Sequence, residues 1–187
     1  MTGVTRLASG LVVLLLASIT AGCTSTSSGE PKPADTETES TGDESTRPQE
    51  IKLDDVDPCA LLPEADYEAY YLDEPGKPEQ GDRGEDQCIW FGDVGYMGLS
   101  LVTFEGVEAQ EDRYGQMEPT EPIDGFPAFT LTLPEDEENA CFVLVDVADG
   151  QNLKVQVGLD SSRDGLPTPC EYAHQFASSV MSTLVKS

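Results

Sequence analysis

The sequence predicts an α+β domain in which an antiparallel sheet is flanked by an N-terminal and a C-terminal helix. Three observations lead to this fold class. Apolar and polar residues alternate along two segments joined by a turn that contains glycine. Apolar residues recur at three- and four-residue spacing near the C-terminus. An Asp-Pro-Cys and a Thr-Pro-Cys segment each have the pattern of a helix start. Helices are therefore expected at both ends of the domain, with strands between them.

The N-terminal helix begins in the segment Asp57-Pro58-Cys59-Ala60-Leu61-Leu62. Asp57 can cap the first turn, and proline suits the first helical position because the N–H that it lacks would have no partner there. Pro63 restarts the helix, which we expect to run to about Leu72.

The centre of the predicted sheet is a hairpin of residues 141–147 and 153–159, in which Gly150 takes the left-handed position of a three-residue loop. A register shifted by one residue would scatter the apolar side chains over both faces, so the pattern determines the pairing. The predicted opposite pairs are Val145 with Leu153, Val143 with Val155 and Cys141 with Val157 on the core face, and Leu144 with Lys154 and Phe142 with Gln156 on the other face.

Further strands are predicted before this hairpin. Residues 88–91 and 98–104 form a second hairpin around residues 92–95, and residues 128–133 form another strand. Cys88 and Trp90 share one face, because alternate residues of a strand point the same way.

The C-terminal helix begins at a capping box, Thr168-Pro169-Cys170-Glu171, with threonine as the cap, proline at the first position and glutamate at the third. The apolar residues after it have helical spacing and predict an amphipathic helix. They are Ala173, Phe176, Ala177, Val180, Met181 and Leu184.

The predicted domain contains four cysteines, Cys59, Cys88, Cys141 and Cys170. An even number without Cys-x-x-Cys spacing in an exported chain favours two disulfides over a metal or redox site. Four cysteines allow three pairings. Matching elements by type favours Cys59–Cys170, which joins two helix starts, and Cys88–Cys141, which would join two strands under the Trp90 ring.

Residues 1–22 have the pattern of an export signal, with Arg6 as the only charge before an apolar run at residues 11–17. The run is shorter than the roughly 20 residues that cross a bilayer. The segment Ile19-Thr20-Ala21-Gly22-Cys23 resembles a bacterial lipobox, although Thr20 stands where leucine is usual. We therefore expect lipid-modified Cys23 to anchor the chain at the outer face of the cell membrane; the alternative is an ordinary signal peptide cut near Ala21.

Residues 23–54 predict a disordered acidic tether rich in Ser, Thr and Pro. Its large apolar residues are Ile51 and Leu53, so it buries too little surface to offset the entropy of ordering. Residues 55–187 then form one domain of about the commonest size.

The formal net charge of −26 arises from 36 acidic and 10 basic residues. So acidic a surface repels phosphate, which excludes nucleic acid and anionic headgroups as direct electrostatic partners. The lipid on Cys23 is therefore the expected contact with the membrane, and we expect the protein to be a monomer.

Several of these motifs together resemble a known family. They are the Asp57-Pro58-Cys59-Ala60-Leu61-Leu62 opening, the Cys88-Ile89-Trp90 strand, Cys141 before a hairpin, and the Cys170-Glu171-Tyr172-Ala173 helix, behind a lipobox and a Ser/Thr-rich tether. In this order they resemble an uncharacterised family of actinobacterial cell-envelope lipoproteins, known as a domain of unknown function. The layout is also similar to extracellular sensor domains of mycobacterial receptor kinases, which implies a ligand bound in a cleft. Neither resemblance supplies catalytic residues.

The sequence contains no recognisable catalytic constellation, and we expect neither an enzyme nor a cofactor. His174 is interpreted as a partly exposed helix residue, and serines 161, 162, 178 and 179 lie in no Gly-x-Ser-x-Gly elbow. The acidic segments 82–86, 135–139 and 146–150 lack EF-hand spacing, so we interpret them as solvated turns and expect no metal.

The sequence favours a ligand- or partner-binding module, with a small apolar ligand or a basic envelope partner. Tyr67, Tyr70, Tyr71 and Tyr96 are candidates for lining a groove. The alternatives are an envelope hydrolase that uses two carboxylates and a structural spacer. An apolar cavity would favour binding, whereas two carboxylates roughly 5–10 Å apart in a cleft would favour hydrolysis.

Overall fold

The computed structural model describes residues 47–114, 117–131, 139–160 and 165–187, without the side chains of residues 111 and 112. The predicted export signal, Cys23, the tether up to residue 46, serines 161 and 162, residues 132 and 133 of a predicted strand and residues 135–138 of an acidic segment lie outside the described residues. None of the described helices combines the length and the apolar character that crossing a membrane would need.

The described elements begin with two short 3₁₀-helices, Pro58–Ala60 and Glu64–Tyr70. The strands are β1 (Lys77–Gln80), β2 (Asp86–Gly92), β3 (Gly95–Val102), β4 (Met117–Ile123), β5 (Phe126–Leu131), β6 (Ala140–Ala148) and β7 (Gln151–Leu159). Helix α1 (Glu108–Tyr114) lies between β3 and β4, and helix α2 (Pro169–Leu184) follows β7.

The seven strands form one antiparallel sheet in the order β1-β2-β3-β7-β6-β5-β4. Strands adjacent in sequence pair within β1–β3 and within β4–β7, and the pairing of β3 with β7 joins the two halves. The predicted fold class is confirmed, because an antiparallel sheet combines with a C-terminal helix and two disulfides. The N-terminal helix is a pair of 3₁₀-helices rather than an α-helix.

The central hairpin has the predicted register. Val145 lies opposite Leu153 and Val143 opposite Val155, and the predicted pairs of Cys141, Leu144 and Phe142 are also present. The second predicted hairpin is β2–β3. Both helix starts are confirmed as well: the Asp57 carboxylate accepts from the backbone N–H of Cys59, and Thr168 and Glu171 make a reciprocal capping box.

The main core lies between α2 and one face of the sheet. The predicted apolar stripe of α2 is buried there, against alternate residues of the central strands such as Leu99, Val143 and Val155. We call the opposite face of the sheet the open face. It carries a smaller apolar cluster, in which Val107 packs against Leu131 and Leu144.

The structure contains two disulfides, but the predicted pairing is wrong. The bridges are Cys59–Cys88 and Cys141–Cys170, with Cα–Cα distances of 5.1 and 5.0 Å. The predicted Cys88–Cys141 bridge would join β2 to β6, and β3 and β7 lie between these strands. Three strand spacings amount to about 14 Å, whereas bridged Cα atoms lie within about 7 Å. The predicted Cys59–Cys170 bridge fails with it, because each helix start is bonded to the strand beneath it.

Trp90 is buried, as its position beside Cys88 predicts, but it does not cover a strand–strand bridge. Its ring packs edge-on against Phe176 of α2, with centroids 5.6 Å apart, and its Nε1 donates to the Tyr67 hydroxyl at 3.2 Å. Gly76 lies against the indole ring and the Cys88 sulfur so closely that a Cβ there would clash with both.

The folded part of the chain begins earlier than the predicted boundary at residue 55. Arg47 Nη1 donates to Asp146 at 2.5 Å, the Ile51 N–H donates to the Val147 carbonyl at 2.8 Å, and Leu53 is buried in the main core. The end of the predicted tether is therefore attached to the rest of the domain by the Arg47 and Leu53 side chains and the Ile51 backbone, contacts that the polar composition of this segment does not reveal.

Both edge strands of the sheet were missed by the sequence pattern. β1 has no large apolar residue and is exposed throughout, and β4 carries Pro119 and Pro122 among acidic residues. Pro78 occupies the middle of β1. Proline and charge are typical of edge strands, where they discourage pairing with another chain.

Candidate functional site: a pocket on the open face

A pocket of about 400 Å³ lies on the open face of the sheet. We call it the open-face pocket. Its floor is polar and comes from Gln87 of β2, Ser100 of β3, and Lys154 and Gln156 of β7. Apolar side chains of Tyr114, Leu131 and Phe142 also line it, and its rim is the turn between β1 and β2. Its volume is within the range of small-molecule sites.

Small residues at the centre of the sheet create this depression. Ser100 lies in register between Gln87 and Lys154, and Gly98 lies between Ile89 and Gln156. Strand β3 therefore offers little side-chain volume at these two positions, where three of the four flanking residues (Gln87, Lys154 and Gln156) carry long polar groups. Because these residues belong to paired strands rather than loops, the floor is held rigidly.

Tyr96 borders this floor and lies flat on the sheet. A Cβ at Gly158 would fall 2.2 Å from the Tyr96 ring, so only glycine leaves room for it. The hydroxyl of Tyr96 accepts from Gln156 Nε2 at 2.6 Å. This hydrogen bond orients the Gln156 amide at the edge of the pocket.

A buried ion pair stands at one side of the floor. Lys154 Nζ lies 3.4 Å from Glu85 Oε1, and the two side chains are 16% and 7% exposed. The Arg83 backbone N–H donates to the other carboxylate oxygen at 3.0 Å. Burial alone would raise the pKa of Glu85, but the backbone N–H groups of Glu85 and Arg83 and the Lys154 ammonium together lower it. Glu85 is therefore an ionised, fully engaged group.

The turn before Glu85 is shaped around its carboxylate. Gly81 packs on the Glu85 side chain, and a Cβ at this position would come within 2.2 Å of the carboxyl carbon. The Gly81 N–H donates to the Glu85 carbonyl at 2.8 Å and closes the turn. The rim of the pocket is thus anchored by the same residue that pairs with Lys154.

A second, partly buried carboxylate, Glu105, connects two walls of the pocket. Arg113 of α1 makes a bidentate contact with it at 2.6 and 2.9 Å, Gln110 donates to it at 2.7 Å, and Arg83 of the β1–β2 turn also donates to it. The hydrogen bonds from Arg113, and then those from Arg83, lower the pKa of Glu105 against the effect of burial. The turn and α1 are therefore held together across one end of the pocket.

The four tyrosines predicted to line a groove do not come together. Tyr70 packs against Tyr172 and Phe176 of α2, and its hydroxyl donates to the Gln175 carbonyl at 2.9 Å. Tyr67 accepts from Trp90 Nε1, and Tyr71 is 49% exposed. Among the four, Tyr96 belongs to the open face, and Tyr114, which the sequence did not single out, lines the pocket.

His174 lies in a different, shallow concavity between α2 and β4, of about 340 Å³. Its Nε2 is 3.0 Å from the Glu121 carbonyl, and the nearby Ser178 hydroxyl donates to the His174 carbonyl at 2.9 Å. Ser179 is hydrogen-bonded to the Tyr70 hydroxyl. These contacts give the histidine and both serines structural partners within α2 and its surroundings.

The acidic segment 82–86 is divided between separate contacts. Glu85 faces Lys154, whereas Asp86 accepts from Gln80 at 2.5 Å. Within the described parts of the chain, no group of three or more His, Cys, Asp or Glu side chains is arranged to hold a metal ion. A wider groove of about 660 Å³ beside β1 is lined by Asp55, Asp57, Glu79 and Asp86, but all four carboxylates face solvent.

The floor residues of the open-face pocket could have been found in the sequence only in part. The alternation places Lys154 and Gln156 on the face away from the core, as predicted. Their meeting with Gln87 and Ser100 depends on the pairing of β3 with β7, which joins residues more than fifty positions apart and leaves no local signal.

The comparison with known proteins identifies a family without an assigned activity. No curated protein and no solved structure matches the chain. One family model, described as a protein of unknown function, DUF3558, matches residues 18–183 and therefore includes Cys23, all four bridge cysteines and the pocket floor. The chain belongs to the DUF3558 family.

Proposed function

We propose that this protein is a lipid-anchored binding module of the cell envelope, and that it holds its ligand in the open-face pocket. The observation that carries the proposal is the pocket itself: about 400 Å³, with a floor of polar side chains from three central strands. Convergent polar groups on a rigid floor are typical of binding sites. A structural spacer would have no need of a depression in which several polar side chains converge.

Export and anchoring are proposed from the N-terminal segment and the cysteines. An apolar run that ends in Ala21-Gly22-Cys23 supports lipid modification of Cys23 at the outer face of the membrane. Two disulfides in one small domain support an oxidising compartment. Lipid attachment would supply hydrophobic free energy that an acidic domain cannot obtain from anionic headgroups.

The ionisation of Glu85 favours binding over carboxylate-based hydrolysis. A general acid in glycoside hydrolysis needs a raised pKa, so that it carries a proton at neutral pH. The pKa of Glu85 is lowered, and its oxygens already accept from Lys154 and from the Arg83 N–H. We therefore expect Glu85 to orient Lys154 and the rim of the pocket rather than to transfer a proton.

The test is to look for a molecule that co-purifies with the full chain. The protein is extracted from native membranes in mild detergent, and native mass spectrometry compares wild type, Tyr114→Ala and Tyr71→Ala. Tyr71 is the matched control, because it is a comparably exposed tyrosine outside the pocket, 49% against 41%. A bound mass that Tyr114→Ala loses and Tyr71→Ala retains supports the proposal. A wild-type chain without any bound mass, or a mass that both variants retain, contradicts it.

A further inference from the structure

We infer that the ligand of the open-face pocket is a neutral, polyhydroxylated molecule of the carbohydrate class. This inference rests on the proposed function, since it concerns the same pocket. Three features of the lining support it: the balance of charge, the kind of hydrogen-bonding groups, and the position of one aromatic side chain.

The charge of the lining disfavours an anionic ligand. Its charged side chains are Glu79, Asp82 and Glu85 against Lys154, which leaves two excess negative charges. Lys154 is already paired with Glu85, so it offers no uncompensated positive charge to a phosphate or carboxylate. Glu79 and Asp82 stand at the exposed rim, where they would repel an anion as it enters.

The hydrogen-bonding groups favour hydroxyls over amines. The floor combines the amides of Gln87 and Gln156 with the hydroxyl of Ser100 and the ammonium of Lys154. An amide or hydroxyl group can both donate and accept, and a sugar hydroxyl does the same, so every floor group can find a partner. A cationic amine only donates, so it can pair with the rim carboxylates and the amide oxygens but leaves the Lys154 ammonium and the amide N–H groups without an acceptor.

The apolar side of the pocket suits the C–H face of a sugar ring. Tyr114 is 41% exposed and lines the pocket together with Leu131 and Phe142. A pyranose has polar hydroxyls at its edge and a less polar face, so it can meet the amides with one side and the aromatic ring with the other. An aromatic wall beside amide side chains therefore matches both halves of such a ligand.

The experiment titrates the full chain with sugars that differ in charge. The probes are a panel of neutral hexoses and pentoses, and the uronic acid that corresponds to each hexose. Saturation-transfer NMR detects binding, and calorimetry gives the affinity. We expect at least one neutral sugar to bind saturably, with its uronic acid at least about tenfold weaker because of the acidic rim.

Two substitutions test the two sides of the pocket. Tyr114→Ala should weaken sugar binding about fivefold to tenfold through the lost ring contact, and Gln87→Leu about fivefold through the lost hydrogen bond. The controls Tyr71→Ala and Gln175→Leu lie outside the pocket and should leave the affinity unchanged. Near-ultraviolet circular dichroism verifies that each variant is folded.

The outcomes separate this inference from the proposed function. The carbohydrate inference is wrong, and the binding function stands, in either of two cases. In the first, the uronic acids bind more tightly than the neutral sugars. In the second, no neutral sugar binds, but native mass spectrometry still shows a ligand that Tyr114→Ala loses. If neither experiment shows a ligand, both are wrong. Neutral-sugar binding that both pocket variants weaken, and that both controls leave unchanged, supports both.

Discussion

The loop that each disulfide closes predicts how much stability the domain loses when that bridge is removed. Replacing Cys59 and Cys88 together by alanine should remove one complete bridge, and so should replacing Cys141 and Cys170. Both bridges span 29 residues. In the chain-entropy account, closing a loop of this length lowers the conformational entropy of the unfolded chain by about 12 cal/mol/K, so each bridge contributes about 3.6 kcal/mol to the free energy of unfolding at 25 °C.

The two double variants should therefore lose nearly the same free energy of unfolding. Each bridge also joins one fully buried sulfur, Cys88 or Cys141, to one partly buried sulfur, so the packing losses are similar. Urea unfolding, followed by tryptophan fluorescence and extrapolated linearly, measures the two free energies. A difference of more than about 2 kcal/mol between the variants would show that loop length does not account for the stabilisation.

Thiol counting tests the connectivity directly. In a chain that also carries Cys23→Ser, the Cys59→Ala/Cys88→Ala variant should have no free thiol, because the other bridge remains intact. The Cys59→Ala/Cys170→Ala variant should have two, since each substitution leaves one partner unpaired. The opposite result, with free thiols in the first variant and none in the second, would refute the structure's pairing.

Three further predictions concern two ion pairs and the proposed lipid anchor. Lys154→Met should lower the free energy of unfolding by about 1–3 kcal/mol in urea titrations, because it leaves the buried Glu85 carboxylate without its cation. Adding Glu85→Gln should restore most of this loss. A double variant that recovers no stability would contradict the pairing of the two side chains. Because the pKa of Glu105 is lowered in the folded protein, its ionised carboxylate stabilises the fold above the unfolded-state pKa of 4.5, and this contribution is lost as the pH falls through the folded-state pKa. Glu105→Gln should therefore flatten the acid side of a curve of unfolding free energy against pH. An unchanged slope would argue against the Arg113 and Arg83 contacts. Cys23→Ser should move the protein from the membrane fraction to the soluble extracytoplasmic fraction, as judged by immunoblotting of fractionated cells, and retention in the membrane would contradict lipid anchoring at this residue.

Local signals in the sequence predicted the elements whose partners are nearby in the chain. The β6–β7 register follows from apolar alternation on both sides of Gly150, and the start of α2 follows from the Thr168 and Glu171 capping box. These features depend on contacts between residues a few positions apart or across one turn. A sequence pattern records such contacts directly.

The features that were missed depend on distant contacts or on exposed strands. The cysteine pairing and the floor of the pocket both depend on the order of the strands, in which β3 pairs with β7. No sequence pattern in either strand indicates this pairing. Strands β1 and β4 were not predicted because exposed edge strands lack the alternation of apolar and polar residues. Pro78 and Pro119 also argue against a strand in the interior of a sheet.

The prolines at both edges have a consequence for copies of the protein that crowd together. A proline has no amide hydrogen, so Pro78 on one margin and Pro119 and Pro122 on the other interrupt the ladder that a neighbouring molecule would have to extend. Growth of a continuous intermolecular sheet, the first step toward a fibril, is therefore disfavoured at both margins. Molecules concentrated on one surface could then remain separately dispersed, each with its pocket accessible.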